Sequence, residues 1–187
     1  MYICRPFWEE VMGKSQYKIQ FGGLSMGEHQ FEFDVKGKFF EQFSESEITE
    51  ADIQVKANLV KQNTLMHILF TFEGTVKLSC DRCLVDYDCP IFGQEKLVIK
   101  HGNPEESNDE ILVLKEGVDE ANFAQYLFEY IELSIPSRKV PCEDEENEID
   151  VDCDEDTLAK YNELKIEEEP SENPEWDKLK NIKFNNN

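Results

Sequence analysis

Apolar and polar residues alternate over several stretches of this 187-residue chain, and the longest alternation runs from Met66 to Ile91. Every second side chain is apolar up to Cys80, and the alternation resumes at Val85. This period of two residues predicts two strands, each with one buried face. Because the thiols of Cys80 and Cys83 enclose only Asp81-Arg82, we expect a β-hairpin with a two-residue turn. Gly74 predicts a bend or bulge in the first strand.

Shorter alternating or apolar runs on both sides of this stretch predict the rest of a sheet. They lie at Tyr17 to Phe21, Phe31 to Val35, Ile53 to Leu59, Lys96 to Lys100 and Ile111 to Leu114. Between the second and third of these runs, three phenylalanines at helical spacing predict one turn of helix: Phe39, Phe40 and Phe43. The succession of strands without long helices between them is typical of an antiparallel meander.

The period of the apolar positions changes to that of a helix after Gly117. Residues 120–134 predict a helix with Asp119 as N-cap, and Pro136 ends it. Its apolar face carries Phe123, Leu127, Tyr130 and Ile131. We therefore predict an α+β fold, with about six or seven antiparallel strands and one packed helix, and a barrel-like curl of the sheet as an alternative.

A shift in composition divides the chain into a predicted sheet-plus-helix domain, residues 1–140, and an acidic tail, residues 141–187. The tail holds 17 acidic and 5 basic residues, and too little apolar surface to fold by itself. Short helices are predicted at residues 156–166 and around Trp176. Within this tail, Trp176 and Leu179 predict either a docking motif for a partner or a segment folded back on the core.

Acidic side chains exceed basic ones by 41 to 19, which gives a formal net charge of −22. Nucleic-acid binding depends on cations that displace phosphate counterions, so this composition disfavours direct RNA contact. Arg138 and Lys139 form an adjacent basic pair, where any RNA contact is expected. The same charge attracts a basic protein partner, although acidity for solubility alone is the alternative. No apolar stretch is long enough to span a membrane, and the N-terminal residues do not resemble an export signal, so we expect a cytoplasmic protein.

The Cys80-x-x-Cys83 pair has the spacing of a zinc knuckle. A closed site needs two further ligands, and Cys142 and Cys153 are the candidates because Cys89 alternates with core residues. Two alternatives remain open, a redox dithiol and a pair of reduced thiols at a strand turn. The three histidines show no spacing that pairs them with a nucleophile, and we predict no enzyme activity.

Several motifs together resemble the YceD family of bacterial large-subunit ribosomal RNA accumulation proteins. They are the Phe-x-Gly-Leu-x-x-Gly-x-x-x-Phe-x-Phe run at Phe21 to Phe33, Gly74-Thr-Val-x-Leu-x-Cys-Asp-Arg-Cys-Leu, Asp109-Glu-Ile, Leu133-Ser-Ile-Pro-Ser-Arg-Lys-Val-Pro-Cys142 and Asn173-Pro-Glu-Trp-Asp-Lys-Leu. The resemblance implies a role in the synthesis, processing or stability of large-subunit ribosomal RNA.

The chain differs from the family pattern at two places. Many members carry a cysteine-rich segment after the helix, which is reduced here to Cys142 and Cys153 among acids. The closing Asp-Pro-Arg-Trp of many members reads Asn173-Pro174-Glu175-Trp176 here. We predict a ribosome-biogenesis adaptor that binds a basic protein of the large-subunit pathway, with a zinc-binding module that contacts RNA directly as the alternative.

Overall fold

The computed structural model of the chain describes residues 16–141, 151 and 153–164. Within these residues, seven strands and three α-helices follow one another in the order β1 Lys18–Gln20, β2 Gly27–Lys36, α1 Gly37–Phe40, β3 Ala51–Lys61, β4 Leu65–Ser79, β5 Asp86–His101, β6 Ile111–Leu114, β7 Glu120–Asn122, α2 Ala124–Ser134 and α3 Glu155–Leu164. A 3-10 turn at Pro104–Glu106 lies between β5 and β6.

The strands form one sheet of five strands and one of two. The larger sheet has the order β2-β3-β4-β5-β6, and its first four strands are antiparallel. The edge strand β6 runs parallel to β5, which the antiparallel prediction did not include. Strands β1 and β7, far apart in the chain, pair with each other. The α+β prediction is confirmed, and the larger sheet is open, with β2 and β6 as its edges among the described strands.

One face of the larger sheet is buried beneath α2, as the alternating pattern predicts. Phe70 in β4 is fully buried and lies 5.5 Å from the ring of Phe123 and 6.1 Å from that of Tyr130, measured between ring centroids. Leu127 and Ile131 of α2 are also fully buried. Burial of an aliphatic or aromatic side chain of this size stabilises a fold by about 1.5–3 kcal/mol. The packing of the helix on the sheet therefore supplies much of the core.

The predicted turn of helix is confirmed for Phe39 and Phe40, which lie in α1, whereas Phe43 follows the end of the helix. Phe39 and Phe40 are buried, and Phe39 meets the ring of Tyr17 edge-on at 4.7 Å. The ring of Phe43 stacks on that of Phe128 in α2 at 4.0 Å. These aromatic contacts join the start of the chain, the sheet and α2 in one core.

The β4–β5 hairpin differs from its prediction in three ways. Its connection spans residues 80–85, so the predicted two-residue turn is wrong. The separate strand predicted at 96–100 belongs to β5, which passes through Gly93 without interruption. The ring of Phe72 on β4 packs over Gly93. The predicted bulge at Gly74 is also wrong, because the register of β4 with both neighbouring strands is continuous.

The start of α2 also differs from its prediction. Residues Glu120–Asn122 form β7, and the helix begins at Ala124. Asp119 is not the N-cap, and its carbonyl oxygen accepts hydrogen bonds from the N–H groups of Phe21 and Gly22. The side chain of Asn122 accepts the N–H of Ala124 at 2.9 Å. Residues 120–122, which the helical pattern had included, therefore form a strand because they pair with β1.

Among the described residues, we find no helix with the length and apolar character of a membrane span.

Substitution Gly74→Ala is expected to lower the free energy of unfolding by about 1–3 kcal/mol, because overpacking forces the backbone to shift. A β-carbon at this position would lie 2.2 Å from the carbonyl oxygen of Asp52 on β3. Gly23→Ala is the matched control, since no atom lies within 4 Å of its β-carbon position, and its effect should stay within about 0.5 kcal/mol. Urea denaturation measures both variants, and equal effects would contradict this account.

Candidate functional site

The turn between β4 and β5 holds Cys80 and Cys83 as two buried, reduced thiols. The N–H of Arg82 donates to Cys80 Sγ at 3.5 Å, and the N–H of Cys83 also donates to this sulfur. The N–H of Val85 donates to Cys83 Sγ. Both sulfur atoms therefore face backbone donors, which favour a thiolate over a neutral thiol.

The two thiols experience opposite electrostatic effects. The hydrogen bond from the Val85 N–H lowers the pKa of the Cys83 thiol below its ordinary value. Burial raises the pKa of Cys80, despite the hydrogen bonds that its sulfur accepts. Cys83 is thus the more readily ionised member of the pair, because its donors outweigh the cost of removing its charge from water.

The acidic tail meets this turn through residues around Cys153. The thiol of Cys153 is hydrogen-bonded to that of Cys83, which also accepts the N–H of Asp154. The guanidinium of Arg82 lies over the ring of Tyr161 in α3, 5.5 Å from its centroid. The structure therefore brings three of the four predicted metal ligands to one place: Cys80, Cys83 and Cys153.

Helix α3 begins directly after Asp154, which caps it. The Asp154 side chain accepts hydrogen bonds from the Asp156 N–H at 3.3 Å and from the Thr157 hydroxyl. These hydrogen bonds hold the pKa of the Asp154 carboxyl below its ordinary value, and the bond from the Thr157 hydroxyl has the largest effect. The cap fixes the direction in which the chain enters the helix, and so positions Cys153 beside the hairpin turn.

The segment that follows α2 also reaches the turn, through Lys139. Its N–H donates to Asp81 Oδ2 at 2.7 Å, and its carbonyl oxygen accepts the Asp81 N–H at 2.8 Å. The Lys139 ammonium lies 2.7 Å from Glu47 Oε2, and this hydrogen bond raises the pKa of Lys139 above its ordinary value. The charge of Lys139 is therefore paired within the protein. Arg138, the other member of the basic pair, lies at the surface.

A second surface feature is an open groove of about 660 Å³ on the outer face of the larger sheet. Its lining includes His29 and His67, but His29 pairs with the buried Leu59 and His67 with Val60, so the two histidine side chains point to opposite faces of the sheet. His29 Nε2 lies 2.8 Å from the carbonyl oxygen of Ser25. The groove is lined by Glu28, His29, Gln30, Asn58, Val60, His67, Leu69 and Lys96.

The comparison with protein families gives one match, the model described as large ribosomal RNA subunit accumulation protein YceD, over residues 68–183. The match begins within β4 and includes the Cys80-x-x-Cys83 turn, β5 and α2. It covers more than half of the 187 residues. The chain belongs to the YceD family. This membership confirms the resemblance seen in the sequence motifs, and it supports a role in ribosome biogenesis, because the family is named for the accumulation of large ribosomal RNA.

No curated protein and no solved structure matches this YceD-family chain. Among the predicted site residues, Cys142, Trp176 and Leu179 lie outside the described residues. Their roles therefore stay predictions. Within residues 16–141, 151 and 153–164, no three side chains of His, Cys, Asp or Glu are already arranged to hold a metal ion.

Three contacts of the site were not predicted from the sequence. They are the two hydrogen bonds between Asp81 and Lys139, the Arg82–Tyr161 contact and the Asp154 cap. The Asp154 cap had a local signal, because Thr157 follows it at the spacing of a capped helix start. The other two contacts join residues far apart in the chain, and no local pattern indicates them.

Substitution Leu84→Gly in the YceD-family protein is expected to raise the free energy of unfolding by about 1 kcal/mol. Leu84 has a φ of 60°, in the left-handed region that disfavours a β-carbon, and its side chain is 72% exposed. Leu84→Ala removes a similar amount of side chain but keeps the β-carbon, so it should give no gain. Urea denaturation compares the two, and indistinguishable stabilities would refute backbone strain at this turn.

Proposed function

We propose that this YceD-family protein is a non-enzymatic, cytoplasmic factor that supports the accumulation of large-subunit ribosomal RNA by binding a basic protein of the large-subunit pathway. The observation that carries the proposal is the charge, 41 acidic against 19 basic residues, in a family named for ribosomal RNA. An acidic surface steers a basic partner and repels free RNA. The protein thus acts on ribosomal RNA through a protein partner.

The environment of the basic pair Arg138 and Lys139 supports a protein partner over RNA. Lys139 is paired with Glu47, and its ammonium also lies 4.0 Å from Asp81 Oδ1. A cation committed to carboxylates within its own chain releases no counterion when a phosphate approaches. Direct RNA binding through Lys139 is therefore disfavoured.

The C-terminal end of α2 provides an apolar anchor for the partner. Leu133 is 84% exposed, although Ile131, two residues earlier, is fully buried. Two acidic side chains of the same helix precede it, Glu129 by one turn and Glu132 directly. An exposed leucine among carboxylates suits a partner that offers an apolar pocket within a basic surface.

The tail supplies the second part of the proposed contact. Trp176 and Leu179 follow the acidic run of the tail, and an aromatic side chain is a frequent anchor at protein interfaces. We propose that Trp176 and Leu179 bind the same partner as Leu133. Two weak contacts joined by one chain bind more tightly than either contact alone.

The rescue of depleted cells tests the proposed contact. Depletion of the protein should lower the ratio of large-subunit to small-subunit ribosomal RNA, and the wild-type chain should restore it. Leu133→Ala and Trp176→Ala should each fail to restore the ratio fully, because each removes an apolar anchor. Leu164→Ala is the matched control for Leu133, since Leu164 is 80% exposed on α3, and it should rescue like the wild type.

The outcomes of this rescue separate the family role from the contact. An unchanged ratio in depleted cells would overturn the role in ribosomal RNA accumulation. A lowered ratio that all three variants restore would keep that role and overturn the contact through Leu133 and Trp176. The abundance of each variant in the cells must match that of the wild type, so that a loss of rescue reports on binding.

The partner's chemistry is tested by purifying the tagged protein from cells and treating the bound material with ribonuclease or with high salt. A basic protein should remain bound after ribonuclease treatment and be released by salt, because charge attraction is screened by ions. Complete loss after ribonuclease treatment would contradict a protein partner and favour direct RNA contact.

A further inference from the structure

The hairpin turn has a structural feature that the proposed function leaves unused. Backbone N–H groups converge on the sulfur atoms of Cys80 and Cys83, from Arg82 and Cys83 to the first and from Val85 to the second. A neutral thiol is a weak hydrogen-bond acceptor, so these N–H groups stabilise neutral thiols only slightly. They stabilise thiolates much more strongly, and the thiolate is the form in which cysteine binds metals.

The backbone of Leu84 adopts a costly conformation that permits this arrangement. Its φ of 60° is uncommon for a residue with a branched side chain, and its 72% exposure provides no compensating burial. The conformation lets the Leu84 N–H donate to the Cys80 carbonyl oxygen at 3.0 Å, while the next N–H, that of Val85, reaches Cys83 Sγ. The turn is thus shaped around its two sulfur atoms.

A third thiol arrives from a distant part of the chain. Cys153 is hydrogen-bonded to Cys83, and the N–H of Asp154 donates to the same sulfur. The Asp154 cap and the Arg82–Tyr161 contact hold this segment against the turn. Three cysteines from two separate segments, the hairpin turn and the acidic tail, therefore meet in one place.

We propose that Cys80, Cys83 and Cys153 are ligands of a structural zinc ion. Soft thiolates at a tight turn favour zinc over magnesium or calcium, which take oxygen ligands. Each ligating thiol releases its proton when the metal binds. Since the described side chains are not already arranged as a metal site, binding includes a rearrangement of the three thiols.

Tetrahedral zinc has one further position, and the chain after α2 approaches the turn from the other side. The hydrogen bonds between Asp81 and Lys139 hold this segment beside Cys80, and Val140 and Pro141 are buried there. The next residue in the sequence is Cys142, whose role as a ligand stays the prediction of the sequence analysis. The ion joins the hairpin turn to the tail.

The zinc content of full-length protein purified under reducing conditions without a chelator tests this site. The wild type should contain about one equivalent of zinc per chain. Cys83→Ser and Cys153→Ser should each fall below about one-tenth of an equivalent, because a closed site that loses a thiolate loses most of its affinity. Cys89→Ala is the control and should keep its zinc, since Cys89 is buried in the core face of β5.

A second measurement, on the wild type, tests the site without depending on whether the cysteine variants fold. Zinc is removed with a chelator, and Co²⁺ is added while the visible absorption is recorded. Intense bands of tetrahedral cobalt with sulfur ligands should appear and saturate at one equivalent. Wild-type protein with less than about one-tenth of an equivalent of zinc and without these bands overturns the site. Zinc retained by Cys153→Ser but lost from Cys83→Ser overturns the role of the tail.

Discussion

The pairing of β4 with β5 is the interaction on which the rest of the structure depends. The two strands keep one register from Leu65↔Lys100 to Ser79↔Asp86. A shift by a single residue would turn every apolar side chain of a strand from the core to water, so the buried face fixes the register. This register sets both the face on which α2 packs and the position of the turn that carries Cys80 and Cys83. The strained backbone of Leu84 is held in place by the same long ladder.

The end of the hairpin is a meeting point of three segments of the chain. The turn itself contacts Lys139 through Asp81, and it contacts the tail through Cys83 and Arg82. Each contact is small alone, and an exposed cation–π pair contributes only about 0.5–1 kcal/mol. Together they bring the hairpin turn, Lys139 and the tail residues Cys153 and Tyr161 into one region. This region lies within the part of the chain that the YceD family model matches.

The acidic side chains of the protein have different roles at different places. Near the C-terminal end of α2, Glu129 and Glu132 lie close to the exposed Leu133 along the helix. The carboxylates of Glu47 and Asp81 instead pair with Lys139 of the same chain. Net charge alone thus describes the long-range field, while the local pairs decide which cations and anions remain available to a partner.

The sequence by itself determined β1 to β6 and their buried faces, the phenylalanine turn and the core residues of α2, because alternation and helical spacing are local consequences of backbone geometry. It also indicated the family and the Cys80-x-x-Cys83 pair. Tertiary structure alone decided that residues 120–122 leave the helical pattern to pair with β1, that β6 runs parallel to β5, and that Phe72 covers Gly93 within a continuous strand. It likewise decided that Cys153 meets Cys83 and that Lys139 pairs with Glu47. These features depend on residues brought together from distant parts of the chain, and no pattern within a short stretch contains that information.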